Sequence, residues 1–383
     1  MRDSNGITRF AAELPAQADD LLPTPLVHSL QSMQLMAEQP EAPRHEAYEW
    51  TPSRLLLALV ILAAGAAFVG VTAWRELRPA ATVAGSLPPR ARQVSTRPKL
   101  NFNLDNLIVP PGQILFGGPA KDGIPALSDP EVVPVAEADF LHPNDRVVGV
   151  RIGRQQRAYP LRVLIWHEAV NDQLGGVPIA VIYCPLCDSV SVVDRRLDGR
   201  TYEFGISGLL VNSNVLLYDR TDDALWSQVG FTAISGPNAG KSLRHLPWEL
   251  TTFAAWRKAN PAGAVVSFST GYDRDYASLP YKDYFQTDQL RFPIAREDLR
   301  LGRRELIVGV KLGETARAYP VREIQTAPDG VVRDTIDGET IVLQADAPSG
   351  SVRIVQAPER ALVVHTFWFA WAAFHPKTEI YAR

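Results

Sequence analysis

Sulfur is scarce in this chain, with two cysteines among 383 residues. A disulfide-rich secreted scaffold, a four-thiolate zinc site and a four-thiolate iron–sulfur cluster each need more thiols than one copy carries, and at most one intrachain disulfide can form. Net charge is scarce too: 39 basic against 42 acidic residues leave −3, which gives no overall attraction to nucleic acid. Mean hydropathy is −0.07, too low for a polytopic membrane protein. The bulk is ordinary globular material, 46% apolar, over a length that predicts about two domains plus extras.

One long apolar run exists. Residues 55–74, LLLALVILAAGAAFVGVTAW, carry no charge and are bounded by Arg54 and Arg75. A helix of that length is about 30 Å long, the thickness of a bilayer's hydrocarbon core. A buried core helix usually keeps a polar face, and a cleavable signal peptide lies nearer the N-terminus, so the run reads as a single retained membrane span. Residues 1–54 are polar and read as a mostly disordered tail with one amphipathic stretch near 26–36, and residues 75–99 as a Pro/Ala/Arg/Ser linker. Ala66 and Gly70 form a small-xxx-small pair, a weak pointer to a homodimer. More basic residues follow the span than precede it, so a literal charge count puts the C-terminal side in the cytoplasm.

From about residue 100 the aromatic and β-branched runs are short and separated by Gly, Pro, Asn and Asp, which predicts a β-rich α+β domain. It contains an internal repeat. VGVRIGRQQRAYPLRVL (148–164) matches VGVKLGETARAYPVREI (308–324), and Val170, Asp172, Gly176 and Ile179 match Val332, Asp334, Gly338 and Ile341. Ala255, Trp256 and Pro261 echo Ala370, Trp371 and Pro376. These matches suggest two degenerate tandem units, 100–280 and 281–383. Each should open with a hairpin, the first turning at Arg154 and Gln155, and end with a short Trp-bearing helix, a Pro turn and a strand.

The units differ where chemistry is expected. The strand IAVIY (179–183) runs into Cys184-Pro-Leu-Cys187, whereas its counterpart runs into Asp346 and Ala347. A Cys-x-x-Cys pair suits a redox dithiol, but the residues after Cys187, DSVSVVDRR, alternate like a strand and a hairpin turn follows at 197–200. A thioredoxin fold, which needs a helix there, is therefore not expected. The same pair at a tight turn between strands suits a metal knuckle for copper or zinc, with Cys184, Cys187 and His167 as ligands, and the sequence favours this reading first, ahead of a dithiol oxidoreductase on another fold. Glu168 and Asp188 would then steady them. A structural module with an inert disulfide is the third reading. His-Glu-Ala-Val-Asn (167–171) lacks the second His of a zincin, Gly236 to Ser242 is one residue short of a P-loop, and Gly205 to Leu209 is not a nucleophile elbow. The run FWFAW (367–371) reads as core.

The series AYPLRVLIWHEAVND, IYCPLCDSVSVVDRRLDG, FGISGLLVNSNVLLYDR, LWSQVG and FWFAWAAFHPKTEIY resembles the bacterial domain of unknown function 3179, over essentially everything from about residue 100 onward. The resemblance implies an N-terminal anchor and an extracytoplasmic domain on the inner membrane, against the charge count. It also implies a site at His167, Glu168, Cys184 and Cys187, with further family segments at Ser207 to Leu210 and Tyr218 to Arg220. Asp188 departs from the Gly usual in the family after the second Cys. The family name itself assigns no activity.

Overall fold

A computed structural model describes residues 101–347 and 350–382. The expected tail (1–54), span (55–74) and linker (75–99) lie outside the described residues. Among the described residues no helix is long and apolar enough to cross a membrane.

Strands dominate. Three short ones, β1 (Leu115–Phe116), β2 (Leu127–Ser128) and β3 (Val132–Pro134), precede the hairpin of β4 (Arg146–Ile152) and β5 (Gln155–Pro160). That hairpin turns at Gly153 and Arg154, one residue earlier than the sequence suggested, because Gly153 supplies a positive φ of 58°. Pro160 opens α1 (Leu161–His167), which packs Leu161, Val163, Leu164 and Ile165 inward. The helix stops where Glu168 takes a left-handed conformation, φ 57°. Next come β6 (Ala169–Leu174) and β7 (Val177–Cys184), joined through Gly175 and Gly176, both at positive φ, as a two-residue hairpin turn requires. The chain continues through β8 (Ser189–Asp194), the small hairpin β9 (Arg196–Leu197) and β10 (Arg200–Thr201), and the long hairpin β11 (Phe204–Val211) and β12 (Asn214–Asp219). Strands β13 (Leu225–Ser227), β14 (Thr232–Ala233) and β15 (Trp248–Thr252), helix α2 (Phe253–Ala259) and β16 (Ala264–Val266) follow. A stretch from 267 to 305 has α3 (Lys282–Phe285) as its regular element. The remainder is β17 (Leu306–Leu312), β18 (Thr315–Pro320), α4 (Val321–Gln325), β19 (Val331–Ile336), β20 (Glu339–Asp346), β21 (Ser351–Gln356), β22 (Leu362–Phe367), α5 (Trp368–Phe374) and β23 (Glu379–Ile380).

Two eight-stranded sheets run β19-β20-β21-β15-β4-β5-β16-β3 and β2-β6-β7-β8-β22-β17-β18-β23, and a five-stranded sheet runs β1-β11-β12-β13-β14. The two stretches that the sequence sets in tandem are interleaved in space. The meander β6-β7-β8 joins the hairpin β17-β18 through β22, while β19-β20-β21 joins the hairpin β4-β5 through β15. The parallel pairs also correspond, β16 against β5 and β23 against β18. Matching positions make matching contacts. Gly149 lies under the indole of Trp256 and Gly309 under that of Trp371, so close that a Cβ would stand 2.0 and 2.3 Å from ring carbon. The Tyr159 hydroxyl donates to Asp172 (2.6 Å) beside Arg157, and the Tyr319 hydroxyl donates to Asp334 (2.7 Å) beside Arg317. The run FWFAW is core as expected: Trp368, Phe369 and Trp371 are buried.

Candidate functional site

Strand β7 is apolar and buried along Ile179 to Tyr183, so it runs through the core and delivers Cys184 to its last rung, opposite Ser189. Pro185, Leu186, Cys187 and Asp188 make the turn, closed by the Cys187 amide donating to the Cys184 carbonyl at 3.2 Å. The residues after it form β8, in line with their alternating pattern. Both cysteines are free and almost fully covered, at 1% and 0% exposure. Three structures hold the turn. The Cys187 carbonyl accepts from the Phe367 amide (2.8 Å) and from the Thr366 hydroxyl (3.2 Å), and the Leu186 carbonyl accepts from the Tyr284 hydroxyl (2.8 Å). The third is the two-residue turn between β11 and β12, where Asn212 and Ser213 both have positive φ.

The two sulfurs sit in different surroundings. Burial pushes the Cys184 thiol up, but hydrogen bonds from the Cys187 thiol and from the amides of Val215, Cys187 and Leu186 outweigh it, leaving Cys184 below the ordinary thiol value. Burial and the neighbouring Cys184 hold Cys187 well above that value. The Ser213 carbonyl, 3.2 Å away, is the acceptor that competes with Cys184 for the single Cys187 proton. Beneath them lies a buried polar network in which Ser189 and Asn214 donate to Gln228 Oε1 (2.7 Å each) and Gln228 Nε2 donates to Ser191 (2.9 Å). A connected network of this kind fixes one arrangement of the surrounding strands.

The other three residues singled out in the sequence take separate positions. His167 has both ring nitrogens engaged. Nδ1 donates to the Pro125 carbonyl at 2.8 Å, and Nε2 pairs with the Tyr276 hydroxyl at 2.7 Å. Burial, with Arg274 nearby, lowers its pKa despite the Pro125 bond, so the ring is neutral near pH 7 and accepts at Nε2. Glu168 is 6% exposed and sits near Cys184, and burial together with that sulfur pushes its carboxyl well above the ordinary range. Asp188 turns to another face, where it accepts two bonds from Arg146 (3.0 Å each) and one from the Tyr183 hydroxyl (2.9 Å). Burial alone would raise its pKa; Arg146, His365 and the Tyr183 bond hold it below the ordinary value.

Asp188 has φ 45°, in the left-handed region that glycine adopts freely and that Asn and Asp tolerate better than other residues. We therefore expect Asp188→Ala, which loses the Arg146 pair and keeps the strain, to be less stable than Asp188→Gly by about 1 kcal/mol, read from denaturant midpoints. Equal midpoints would show that the backbone there carries no strain. Because the folded pKa is depressed, the wild-type contribution is complete above the ordinary carboxylate value and is lost as pH falls through the lower folded value.

A cavity of about 130 Å³ adjoins the turn, lined mainly by apolar side chains, with Glu168, Tyr281 and Arg291 as its ionisable groups. Leu186 of the turn and Val215 of β12 form part of its wall. The stretch 267–305 supplies Tyr281 and Arg291 to this wall, and Tyr284 to the turn. An irregular stretch of that length in a compact domain commonly carries function.

Sequence reasoning missed Asn214, Gln228, Tyr281, Tyr284 and Arg291. The signal for the first two was present, as a two-residue Asn-Ser turn between β-branched runs and a Gln inside LWSQVG. The others sit in an aperiodic stretch with no local signature. No curated protein and no solved structure matches the chain. The family described as proteins of unknown function, DUF3179, matches residues 121–362, a narrower span than the sequence motifs suggested and one that ends before α5. That match covers well over half of the 383 residues, and the chain belongs to the DUF3179 family.

Proposed function

We propose that the chain is a dithiol oxidoreductase on a β-rich fold, with Cys184 as the attacking thiolate and Cys187 as the resolving thiol. The observation that carries this reading is the unequal setting of the two sulfurs: the Cys187 thiol donates its one proton to the Ser213 carbonyl at 3.2 Å, while the neighbouring backbone amides of Leu186, Cys187 and Val215 favour a Cys184 thiolate. Amide donors favour the thiolate, and the thiolate is the nucleophile. In the forward direction Cys184 attacks one sulfur of a disulfide, that S–S bond breaks, and its electron pair leaves on the second sulfur as a thiolate. Cys187 then loses its proton to solvent or to the leaving thiolate and attacks Cys184, releasing the first half and closing the Cys184–Cys187 disulfide. An external dithiol must reduce the pair again for turnover.

Copper or zinc held by Cys184, Cys187 and His167 fits less well. His167 would have to give up its bond to Tyr276 or Pro125, and among the described residues no three His, Cys, Asp or Glu side chains gather as a ligand set. We further propose that the interleaved arrangement arose from duplication of one unit, supported by the Gly–Trp contacts and Arg–Tyr–Asp clusters at equivalent positions. We also propose a single-span anchor, supported by the apolar run 55–74, with the domain on the extracytoplasmic side of the inner membrane, as the family resemblance implies.

Redox titration of the full-length protein in detergent tests the activity. Its thiols are alkylated across a series of dithiothreitol ratios and its metal content is measured in the same samples. The reading requires a metal-free pair that cycles by two electrons. A disulfide that resists reduction would leave a structural cross-link, and stoichiometric metal lost in His167→Ala would restore the knuckle.

A further inference from the structure

We propose that the cavity beside the Cys184–Cys187 turn takes a small disulfide bearing a carboxylate, with Arg291 as its anchor. This rests on the dithiol reading and names its substrate class.

The positive charge around the turn lacks a counter-charge. The Arg291 guanidinium lines the cavity and lies over two aromatic rings, 5.2 Å from the centroid of Tyr281 and 5.0 Å from that of Tyr284. Arg304 stands 4.0 Å from the same Tyr284 ring, and its Nε and Nη1 are buried without a hydrogen-bond partner. Neither guanidinium forms an ion pair with a carboxylate among the described residues. Both therefore sit beside Tyr284, the residue whose hydroxyl ties down the turn between the cysteines. The one carboxyl on the cavity wall, Glu168, is pushed well above the ordinary carboxylate range by burial and by its neighbour Cys184, which favours its protonated form and lessens repulsion of an anion.

Stacking on tyrosines restricts the guanidinium's orientation and leaves its N–H edge free, which suits a planar anion gripped by charge-assisted bonds. The remaining wall, including Ile124, Leu209 and Phe292, is apolar and suits a short carbon chain. A volume of about 130 Å³ is below that of a drug-sized pocket, and it admits one end of a small molecule rather than a folded loop. Leu186, between the two cysteines, is part of the cavity wall, so a disulfide held there lies beside the turn that carries Cys184. The electron balance is that of the exchange already described, with the dithiol oxidised and the disulfide reduced to two thiols.

The test is a single-turnover experiment on full-length reduced protein in detergent, mixed separately with dithiodiglycolate (anionic), hydroxyethyl disulfide (neutral) and cystamine (cationic). The formation rate of the Cys184–Cys187 disulfide is followed by quenched alkylation. One charge-assisted contact predicts a preference for the anionic over the neutral reagent of about 10-fold at low salt. Cystamine should be slowest. The preference should disappear in Arg291→Gln and largely persist in Arg291→Lys. Rates that follow no charge order, or an order unchanged in Arg291→Gln, would overturn the anchor while leaving the dithiol intact. Failure of all three reagents to oxidise the pair would remove the dithiol reading, and the substrate class with it.

Discussion

Cys184→Ser is expected to abolish reduction of small disulfides, lowering the rate by about three orders of magnitude or more, because a serine hydroxyl does not replace a thiolate in disulfide exchange. Cys187→Ser should behave differently. Its first step is intact, so the protein should accumulate a mixed disulfide at Cys184, visible as an added mass that a reductant removes. The asymmetry follows from which sulfur receives hydrogen bonds. The amides of Leu186, Cys187 and Val215 favour a Cys184 thiolate, whereas Cys187 donates its one proton to the Ser213 carbonyl. A Cys187→Ser protein that never forms an adduct, together with a Cys184→Ser protein that does, would assign the roles the other way round.

The second large effect concerns stability. Gly149→Ala and Gly309→Ala should each destabilise the fold by about 3 kcal/mol, the upper end of ordinary overpacking. At these positions a Cβ would stand 2.0 Å from Trp256 and 2.3 Å from Trp371, both fully buried. Trp371 has little freedom to withdraw, since its Nε1 donates to the Thr378 hydroxyl at 2.8 Å. Gly112→Ala is the control: nothing lies within 4 Å of its added methyl, and a change within about 0.5 kcal/mol is expected. Chemical denaturation of the four proteins gives the comparison. Similar losses at Gly149 and Gly309 would accord with two copies of one packing unit; a loss at one alone would show that the copies no longer share it.

Much of this was legible in the sequence, and the limits have physical causes. The hairpins near Gly153 and at Asp198-Gly199 were readable because positive-φ turn residues interrupt β-branched runs. The correspondence between 148–164 and 308–324 was readable as identity, but its spatial meaning was not. Interleaving depends on β8 pairing with β22 and β15 pairing with β21, contacts between segments more than a hundred residues apart that no local pattern encodes. The site shows the same division. Cys-Pro-Leu-Cys announced itself, and so did its neighbour Glu168, now on the cavity wall. His167 looked like a ligand because a His-Glu pair beside a cysteine strand suits a metal, yet Pro125 and Tyr276 occupy its two nitrogens. Asp188, expected to steady the ligands, is paired with Arg146 on another face. Tyr281, Tyr284 and Arg291 come from a stretch whose only order is tertiary, and their role is visible only once that stretch is seen to lie against the turn.

The difference between the two sulfurs is the central claim, and competitive alkylation tests it most directly. Reduced full-length protein is treated with a limiting amount of iodoacetamide from acid to alkaline pH, and each cysteine is quantified by peptide mass spectrometry. Cys184 should be modified first, with a midpoint below that of a free thiol, while Cys187 responds only at markedly higher pH. Equal labelling of the two, or labelling of Cys187 first, would contradict the account.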